Sequence, residues 1–475
     1  MIFLILLSYV LSPVSNPVDW RFPSLNYRIL ERLETMAGNN FWFTNFKPLS
    51  VSKYSKILSN QMDGQRDGLE LKSFLNLSGR DYFQNNNHYL SYLEWGFNGK
   101  LSMFHNHWQI EDEFVFFSKR SKDFDLPYYD PLNDYRRKLY ILKGEPAIGM
   151  ASFFDLRMIK AYTELDYKNT IFRMGRFNLR IGPGYSSNFL FSGVNQPLDF
   201  LYYVESGYKR FLHFLVLNAS VPDTVEGKRV AYQRLEINPI SWLSLAFSEG
   251  VMYTRRDLLK YINPFDFFYL IQRHSKDNQD NLVAEGNLTI YWPHRTKVYF
   301  IFFDDDWIVT PEDNQASLYG YTLGIFHVNP FGFKGLDVRV EYTEVSPWTY
   351  AHFSMVNSWA INNTPLGNWS GNDFKHIFIE VGYVRDLYTF VSLDFEYLEH
   401  GLGDLESPWE FSHMPGNLNW PIPPFNKTKY FYTMFVKEMK SLSFAAKVGF
   451  SVKGNNFSPF LSTNLKFYIP YTFKI

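Results

Sequence analysis

Residues 465–475 read LKFYIPYTFKI, and this segment carries the clearest structural pattern in the sequence. Every second residue is apolar, and lysine, tyrosine, threonine and one proline lie between them. Alternation with a period of two is typical of a β-strand whose two faces meet different surroundings. At about 3.3 Å per residue and a tilt of about 40°, such a strand rises roughly 28 Å, close to the ~25 Å apolar band of a transmembrane barrel. The stretch therefore predicts a membrane-spanning strand, despite a proline that cannot donate to a ladder.

The same alternation recurs upstream in residues 336–342, 391–397 and 447–453, where polar positions carry charges. This pattern fits a soluble sandwich, whose charged face meets water. It fits equally a barrel whose apolar face meets lipid and whose charged face lines the lumen. The lengths of the connections between strands distinguish the two architectures.

Connections counted backward from the C-terminus alternate between short and long. The five on one side contain three to six residues, whereas four of the five on the other side contain 12 to 30 residues. The long ones are 253–281, 304–315, 345–373 and 399–428. Short periplasmic turns and long external loops are typical of outer-membrane barrels. We therefore predict an all-β, antiparallel transmembrane barrel of about 18 strands, with 16 as the alternative count.

The first part of the chain has a different pattern. Residues 1–15 form an apolar stretch followed by small residues, which predicts a signal peptide although no lysine or arginine precedes it. Residues 16–85 are predicted to form a small periplasmic helical region, and residues 86–475 the barrel. Three short helical patterns occur in that region, at 27–37, 50–58 and 71–77.

The composition excludes several classes of protein. The chain has no cysteine, so it has no disulfide scaffold, no thiolate metal site and no lipoprotein anchor. Its formal charge of −1 argues against a nucleic-acid partner, which requires a basic face. No nucleophile elbow or phosphate-binding loop occurs. We expect no catalytic residue, no metal and no cofactor.

The predicted external loops carry the candidate ligand-binding residues. Tryptophan rings stack on the C–H faces of sugars, while amide, carboxylate and guanidinium groups bind sugar hydroxyl or acid groups. Paired aspartates also fit a bound cation. A bracing role within the loops or the lumen is the alternative for each residue. The candidates are Arg180, Asp199, Arg255, Arg256, Asp305, Asp306, Trp369, Asn372, Asp373 and Trp409.

Residues Gly175–Asp199 read GRFNLRIGPGYSSNFLFSGVNQPLD. This stretch resembles the signature of the Wzi-type capsule-assembly outer-membrane proteins, with Gly182-Pro183-Gly184 at its centre. Ile181 stands where the family usually has tryptophan. Further elements follow in the family's order, namely Asp277-Asn278 with Asn281 and Gly286, then Asp305-Asp306, then Glu341-Tyr342 with Thr349-Tyr350 and His352, then Pro365-Leu366-Gly367 with Gly371-Asn372-Asp373.

The resemblance implies an eighteen-stranded outer-membrane barrel with a small helical bundle on the periplasmic side. It also implies a non-enzymatic lectin that helps to assemble or retain polysaccharide on the cell surface. The expected partners are capsular or extracellular polysaccharide, outer-membrane lipid and the barrel-assembly machinery. An outer-membrane porin or transport channel is the alternative function, and an outer-membrane enzyme is a third.

Overall fold

The computed structural model describes most of the chain. The described residues are 25–38, 46–47, 68–82, 88–103, 107–122, 155–193, 197–208, 211–221, 227–274, 279–293, 295–306, 317–352, 354–361, 364–386, 388–403, 405, 420–439 and 442–474. The helices are α1 (Leu25–Ala37) and α2 (Phe268–His274), with 3-10 turns at Arg255–Asp257, Pro330–Gly332 and Met355–Asn357. None of these helices is long and apolar enough to cross a membrane.

The strands follow in chain order. They are β1 (Phe46–Lys47), β2 (Gly68–Tyr82), β3 (His88–Met103), β4 (Trp108–Lys122), β5 (Asp155–Tyr167), β6 (Thr170–Phe177), β7 (Arg180–Ile181), β8 (Phe191–Ser192), β9 (Leu198–Tyr208), β10 (Leu212–Ser220), β11 (Lys228–Ile240), β12 (Leu243–Thr254), β13 (Asn281–Trp292), β14 (Thr296–Asp306), β15 (Leu318–Val328), β16 (Leu336–Val345), β17 (Ala360–Ile361), β18 (Thr364–Pro365), β19 (Phe374–Asp386), β20 (Thr389–His400), β21 (Asn426–Met439), β22 (Leu442–Lys453) and β23 (Asn456–Lys474).

Within the described part of the chain, eighteen strands form one closed antiparallel sheet: β2–β6, β9–β16 and β19–β23. The first and last of them close it, since β2 pairs with β23 from Gly68 opposite Lys474 to Tyr82 opposite Phe460. The C-terminal alternation therefore forms a barrel strand, and the predicted eighteen-stranded barrel is confirmed. Closure removes the unpaired edges that an open sheet would expose.

The N-terminal region differs from the expectation in part. Helix α1 forms where the first helical pattern lies, whereas the second pattern and residues 1–15 fall outside the described residues. The third predicted helix, at 71–77, is wrong, because these residues belong to β2. The barrel therefore begins at Gly68, before the expected boundary at 86.

Side chains along each barrel strand alternate between two surroundings. The charged positions of β16, Asp337, Arg339 and Glu341, are fully buried inside the barrel. On the other face of the sheet, apolar side chains are exposed, such as Leu393, with 64% of its surface accessible, and Phe247. The expectation that charges line the lumen and apolar residues face outward is confirmed.

Connection lengths define two ends of the barrel. At the short-turn end lie the tight connections 241–242, 293–295, 329–335, 387–388 and 440–441. At the long-loop end lie 178–197, 255–280, 346–373 and 401–425. The alternation of connection lengths read from the sequence is thus present in the fold.

Candidate functional site

The Gly-Pro-Gly segment bends the loop 178–197 into the lumen from the long-loop end. Gly182 has a φ of 120°, and a Cβ at Gly184 would lie 1.7 Å from the carbonyl oxygen of Ser187. Only glycine fits these two backbone positions. The bend aims the next two amides at a lumenal carboxylate: the backbone nitrogens of Tyr185 and Ser186 donate to Glu341 at 2.6 and 2.5 Å.

Loop 346–373 also folds into the lumen and packs against loop 178–197. The indole nitrogen of Trp359 donates to the carbonyl oxygen of Leu190 at 3.0 Å. Trp359 is fully buried, and its ring lies edge-on to Phe191, with the centroids 6.0 Å apart. On β12, a Cβ at Gly250 would lie 2.6 Å from the indole, so the glycine makes room for it. These two loops therefore form one apolar cap across the lumen.

Helix α1 enters the lumen from the short-turn end. Arg28 donates to Glu380 at 3.1 Å, and Arg32 pairs with Asp337. Glu31 accepts from Lys297 at 2.9 Å and from Arg339 at 2.8 Å. Each charge leaves water but gains an opposite charge and hydrogen bonds, which is the condition for burying it.

Arg339 joins the helix to the cap. Its guanidinium lies 4.0 Å from the ring centroids of Tyr185 and Phe326, and the Tyr185 hydroxyl donates to Glu380 at 3.1 Å. Cation–π contact strengthens when water is excluded. Among the described residues, α1 therefore occupies the lumen from one end and the cap from the other, and Arg339 contacts both.

Three candidate residues brace the loops. Arg180 donates to the carbonyl oxygens of Gly184 and Tyr185 at 2.7 and 2.6 Å. Asp305 accepts from the backbone nitrogen of Tyr350 at 2.6 Å. The third, Asp373, is fully buried and accepts from the backbone of Gly403 and Ile422 at 2.8 and 2.9 Å. For these three, the arrangement matches the bracing alternative.

Five other candidates lie away from the lumen or outside the described residues and side chains. Asp199 forms a bidentate ion pair with Arg176, at 2.7 and 2.8 Å. The next residue on each strand, Phe200 and Phe177, is buried on the opposite face of the sheet. Arg255 and Arg256 are exposed and follow β12 at the long-loop end. Asp306 ends β14, and nothing further is described for its side chain. Trp409 lies outside the described residues.

Trp369 and Asn372 lie in a buried polar segment that the structure leaves with unused donors. Asn368, Ser370 and Asn372 are nearly fully buried, and their side-chain Nδ2, Oγ and Nδ2 atoms have no hydrogen-bond partner. Trp369 lies edge-on to His376, with the ring centroids 5.4 Å apart. Buried polar groups normally have partners, so such a group of donors indicates a site for water or a ligand hydroxyl. Trp369 and Asn372 thus lie in the same buried segment of the long-loop end.

The sequence reasoning missed the residues that build the cap. Phe189, Trp359 and Tyr350 are fully buried, yet no local pattern marks a loop that folds inward. The spacing of glycines was the available signal: Gly367 also meets the other loop, since a Cβ there would lie 1.5 Å from the carbonyl oxygen of Phe189. Among the described residues, no cluster of three or more histidine, aspartate or glutamate side chains has the geometry to hold a metal ion.

The cap should loosen in mild acid because it buries a neutral histidine. Burial lowers the pKa of His352 to about 4, from the usual value near 6.5. The opened loop takes up a proton below pH 6.5, whereas the closed loop does so only near pH 4. Stability of the closed cap is therefore complete above about pH 6.5 and is lost as the pH falls toward 4. We expect amide hydrogen exchange in 350–359, corrected for intrinsic rates, to rise about 30-fold from pH 8 to pH 5.

Replacement His352→Gln should abolish this dependence on pH. The matched control His274→Gln changes an exposed histidine of α2 and should keep it. Equal protection of 350–359 at pH 8 and pH 5 in the unchanged protein would contradict the prediction.

Comparisons with known proteins agree with this architecture. The sequence profile of the family described as "Capsule assembly protein Wzi" matches residues 58–429. The solved structure of Wzi from Escherichia coli, described as a carbohydrate-binding β-barrel of the outer membrane involved in group 1 capsule assembly, has a TM-score of 0.61 and 10% identity. The alignment covers 94% of this chain and 98% of that one.

Two further solved structures have lower TM-scores. Pseudomonas aeruginosa OccK8 (OprE) has a TM-score of 0.48 and 9% identity, covering 85% of this chain and 98% of that one. OccK5 (OpdH) of the same organism has a TM-score of 0.48 and 7% identity, covering 86% and 99%. A search of curated protein sequences finds no match.

Proposed function

Because the chain belongs to the Wzi family of capsule assembly proteins, we propose that it binds exported capsular or extracellular polysaccharide and helps to retain it on the cell surface. It is an outer-membrane barrel. In this proposal the long-loop end faces outward and α1 enters from the periplasm, since long loops of such barrels are external. The C-terminal strand β23 would be recognised by the barrel-assembly machinery.

The filled lumen is the observation that favours binding over transport. A porin needs a continuous aqueous path, whereas among the described residues α1 occupies the lumen from below and the cap from above. Under this proposal a polymer stays at the long-loop end, and the barrel serves as a rigid support. The alternative, a transport channel, requires both α1 and the cap to move out of the lumen.

The proposed sugar contacts lie around Trp369. Trp369 packs in the apolar cluster of the cap with only 9% of its surface exposed, and the neighbouring Asn368, Ser370 and Asn372 carry buried donors without partners. In this proposal the segment opens toward the outside when a sugar ring binds there. A sugar hydroxyl would satisfy donors that the folded protein leaves unused. Trp409, in the neighbouring long loop, is proposed as a second stacking residue.

We propose that the protein acts without catalysis. Lumenal carboxylates such as Glu341 and loop carboxylates such as Asp373 accept hydrogen bonds from loop backbone. These contacts give them a structural use and orient them away from acid–base work on a sugar. A lectin needs only shape, aromatic faces and hydrogen-bonding groups.

Retention of polymer by cells tests the proposal. Deletion of the gene should shift polysaccharide from the cell-bound fraction into the medium at unchanged total, and the unchanged gene should restore binding. An unchanged cell-bound fraction after deletion would refute retention. A large steady single-channel conductance of the purified protein would favour the porin alternative.

The double replacement Ser370→Ala with Asn372→Ala tests the site. Because the side-chain donors of these two residues have no protein partner, their loss should leave the midpoint of thermal unfolding unchanged. Each lost hydrogen bond to a sugar should weaken binding about fivefold, so the purified variant should bind the polymer roughly 25-fold more weakly.

The control for this variant is Trp292→Ala, which removes an exposed tryptophan at the short-turn end. Its affinity for the polymer should equal that of the unchanged protein. Binding by the double variant with full affinity would remove this segment from the site without touching the retention assay.

A further inference from the structure

The connection after β12 does not rise from the barrel but folds down its outer wall. Residues 255–274, named here the outer apron, bury side chains on the outward faces of β10, β11 and β12. Those buried outward residues are Val216, Asn218, Ala231, Val251 and Tyr253. The outward side chains pack with Tyr261 and Phe268 of the apron, while the lumenal Met252 of the same strand packs with Trp359 in a separate cluster. The strands of this sector therefore have apolar cores on both faces.

Specific contacts hold the apron against the wall. The Tyr202 hydroxyl donates to the carbonyl oxygen of Ile262 at 3.0 Å. Asn218 donates to the carbonyl oxygen of Tyr261 at 3.1 Å. The ring of Phe265 stacks on that of Phe214, with the centroids 5.9 Å apart. The apron thus reaches well below the rim.

The apron also covers two polar side chains that point out of the wall. Gln233 donates to Glu249 and to the carbonyl oxygen of Asp266, both at 3.0 Å. The backbone nitrogen of Tyr269 donates to Glu249. Polar groups facing lipid without partners are costly. Below this level the outward residues are apolar, as at Leu235 and Phe247.

The apron covers the polar side chains of the wall, and its own outward surface is strongly apolar. Leu259, Phe265 and Phe267 expose 83%, 75% and 65% of their surface, and Leu270 exposes 53%. Water-exposed patches of this kind mark an interaction site. Here the patch continues the lipid-facing band of Leu235 and Phe247, so acyl chains are its natural contact.

Basic side chains border this patch. Arg255 and Arg256 are exposed at its start and Arg273 at its end, where the guanidinium lies 5.6 Å from the ring of Tyr269. Lys260 pairs with Asp257 at 2.5 Å. Arginines beside an apolar membrane-facing surface match the phosphate groups of anionic lipids.

We propose that the outer apron is a binding site for a phosphorylated anionic lipid of the outer leaflet. The acyl chains lie along Phe265, Phe267 and Leu270, and the phosphate groups contact Arg255 and Arg256. In this arrangement the two arginines bind lipid rather than acidic sugars. The inference rests on the proposed orientation of the barrel but not on polysaccharide binding, and the two are measured separately.

Native mass spectrometry of the full-length protein with bisphosphorylated lipid A tests the proposal. The unchanged protein should retain lipid A in preference to phosphatidylethanolamine, and free inorganic phosphate should not displace it. The variant Arg255→Ala with Arg256→Ala should bind about 25-fold more weakly, because each arginine near an anionic lipid contributes a factor of about five. Both residues are exposed, so the midpoint of thermal unfolding should not change.

Matched controls distinguish binding at this site from a nonspecific effect of positive charge or of exposed apolar surface. The variant Lys429→Ala with Lys453→Ala removes two exposed basic residues near the same end and should bind lipid A normally. Phe265→Ser with Phe267→Ser should weaken retention, whereas Phe331→Ser with Phe333→Ser, at the exposed short-turn end, should not.

Three results would overturn the proposal. The first is full lipid A affinity in the double arginine variant. The second is equal loss in the lysine control. The third is a dimer or trimer mass that disappears in Phe265→Ser with Phe267→Ser while lipid binding persists, which would assign the patch to a second copy of the chain.

Discussion

Replacement of Trp359 by alanine is expected to open the cap of the barrel. The indole is fully buried, donates to the carbonyl oxygen of Leu190, and fills the space left by Gly250. Removing a buried tryptophan of this size lowers stability by about 3–5 kcal/mol. Because the barrel wall does not depend on it, the loss should fall on the two inward loops. Hydrogen exchange of the Leu366 amide, which donates to the Trp359 carbonyl oxygen, should rise at least about 100-fold.

Gly250 supplies the control for this prediction. Gly250→Ala should loosen the same loops, because the added methyl group would collide with the indole. In the Trp359→Ala background the methyl group meets no indole, so Gly250→Ala should have little further effect. Additive effects of the two replacements would contradict the proposed packing. Trp292→Ala, at an exposed site, should leave the exchange of Leu366 unchanged.

Replacement of Glu31 by alanine is expected to release α1 from the lumen. The carboxylate pairs with Lys297 and Arg339, and both cations are buried. Removing one partner from a buried ion pair costs about 3–5 kcal/mol, because the remaining charges lose their compensation away from water. Arg28 and Arg32 keep their pairs with Glu380 and Asp337, so we expect α1 to leave the lumen transiently and more often than in the unchanged protein.

Two measurements detect the release of α1. Limited proteolysis of the purified protein should cut within 25–37, and single-channel recordings should show brief openings. Arg385→Ala, at an exposed site on the same end of the barrel, should behave like the unchanged protein. Protection of α1 from protease in Glu31→Ala at the level of the unchanged protein would contradict the prediction.

The barrel was predictable because its signals are local and repeated. Alternation in β16 and β20 follows from one lipid-facing and one lumenal face, and a one-residue slip would reverse every side chain. Connection lengths then separated a barrel from a sandwich. The segment 71–77 was misread as a helix because a short apolar run fits either period. The segment belongs to β2, which pairs with β23 and β3 along all fifteen of its residues. It forms a strand because the neighbouring backbones satisfy its amide groups.

The candidate site was predictable only in part. Polar residues beside strand ends were correctly placed near the long-loop end, as for Asp305 and Asp373. Whether such a residue meets solvent or a loop amide depends on how a loop of almost thirty residues folds back. Local sequence does not encode that path, because the partners of Asp373, Gly403 and Ile422, lie far along the chain.

The sequence alone determined the class of the protein: an antiparallel barrel of about 18 strands with apolar residues outside and charges inside, and a resemblance to the Wzi family. The period of two and the connection lengths carry this information within each strand. The tertiary structure alone decided that α1 and two loops fill the lumen, that Arg180 and Asp373 brace loops, and that the outer apron covers the wall. These features depend on contacts between residues hundreds of positions apart, such as Glu31 and Arg339, and packing between such distant elements leaves no periodic trace in the chain.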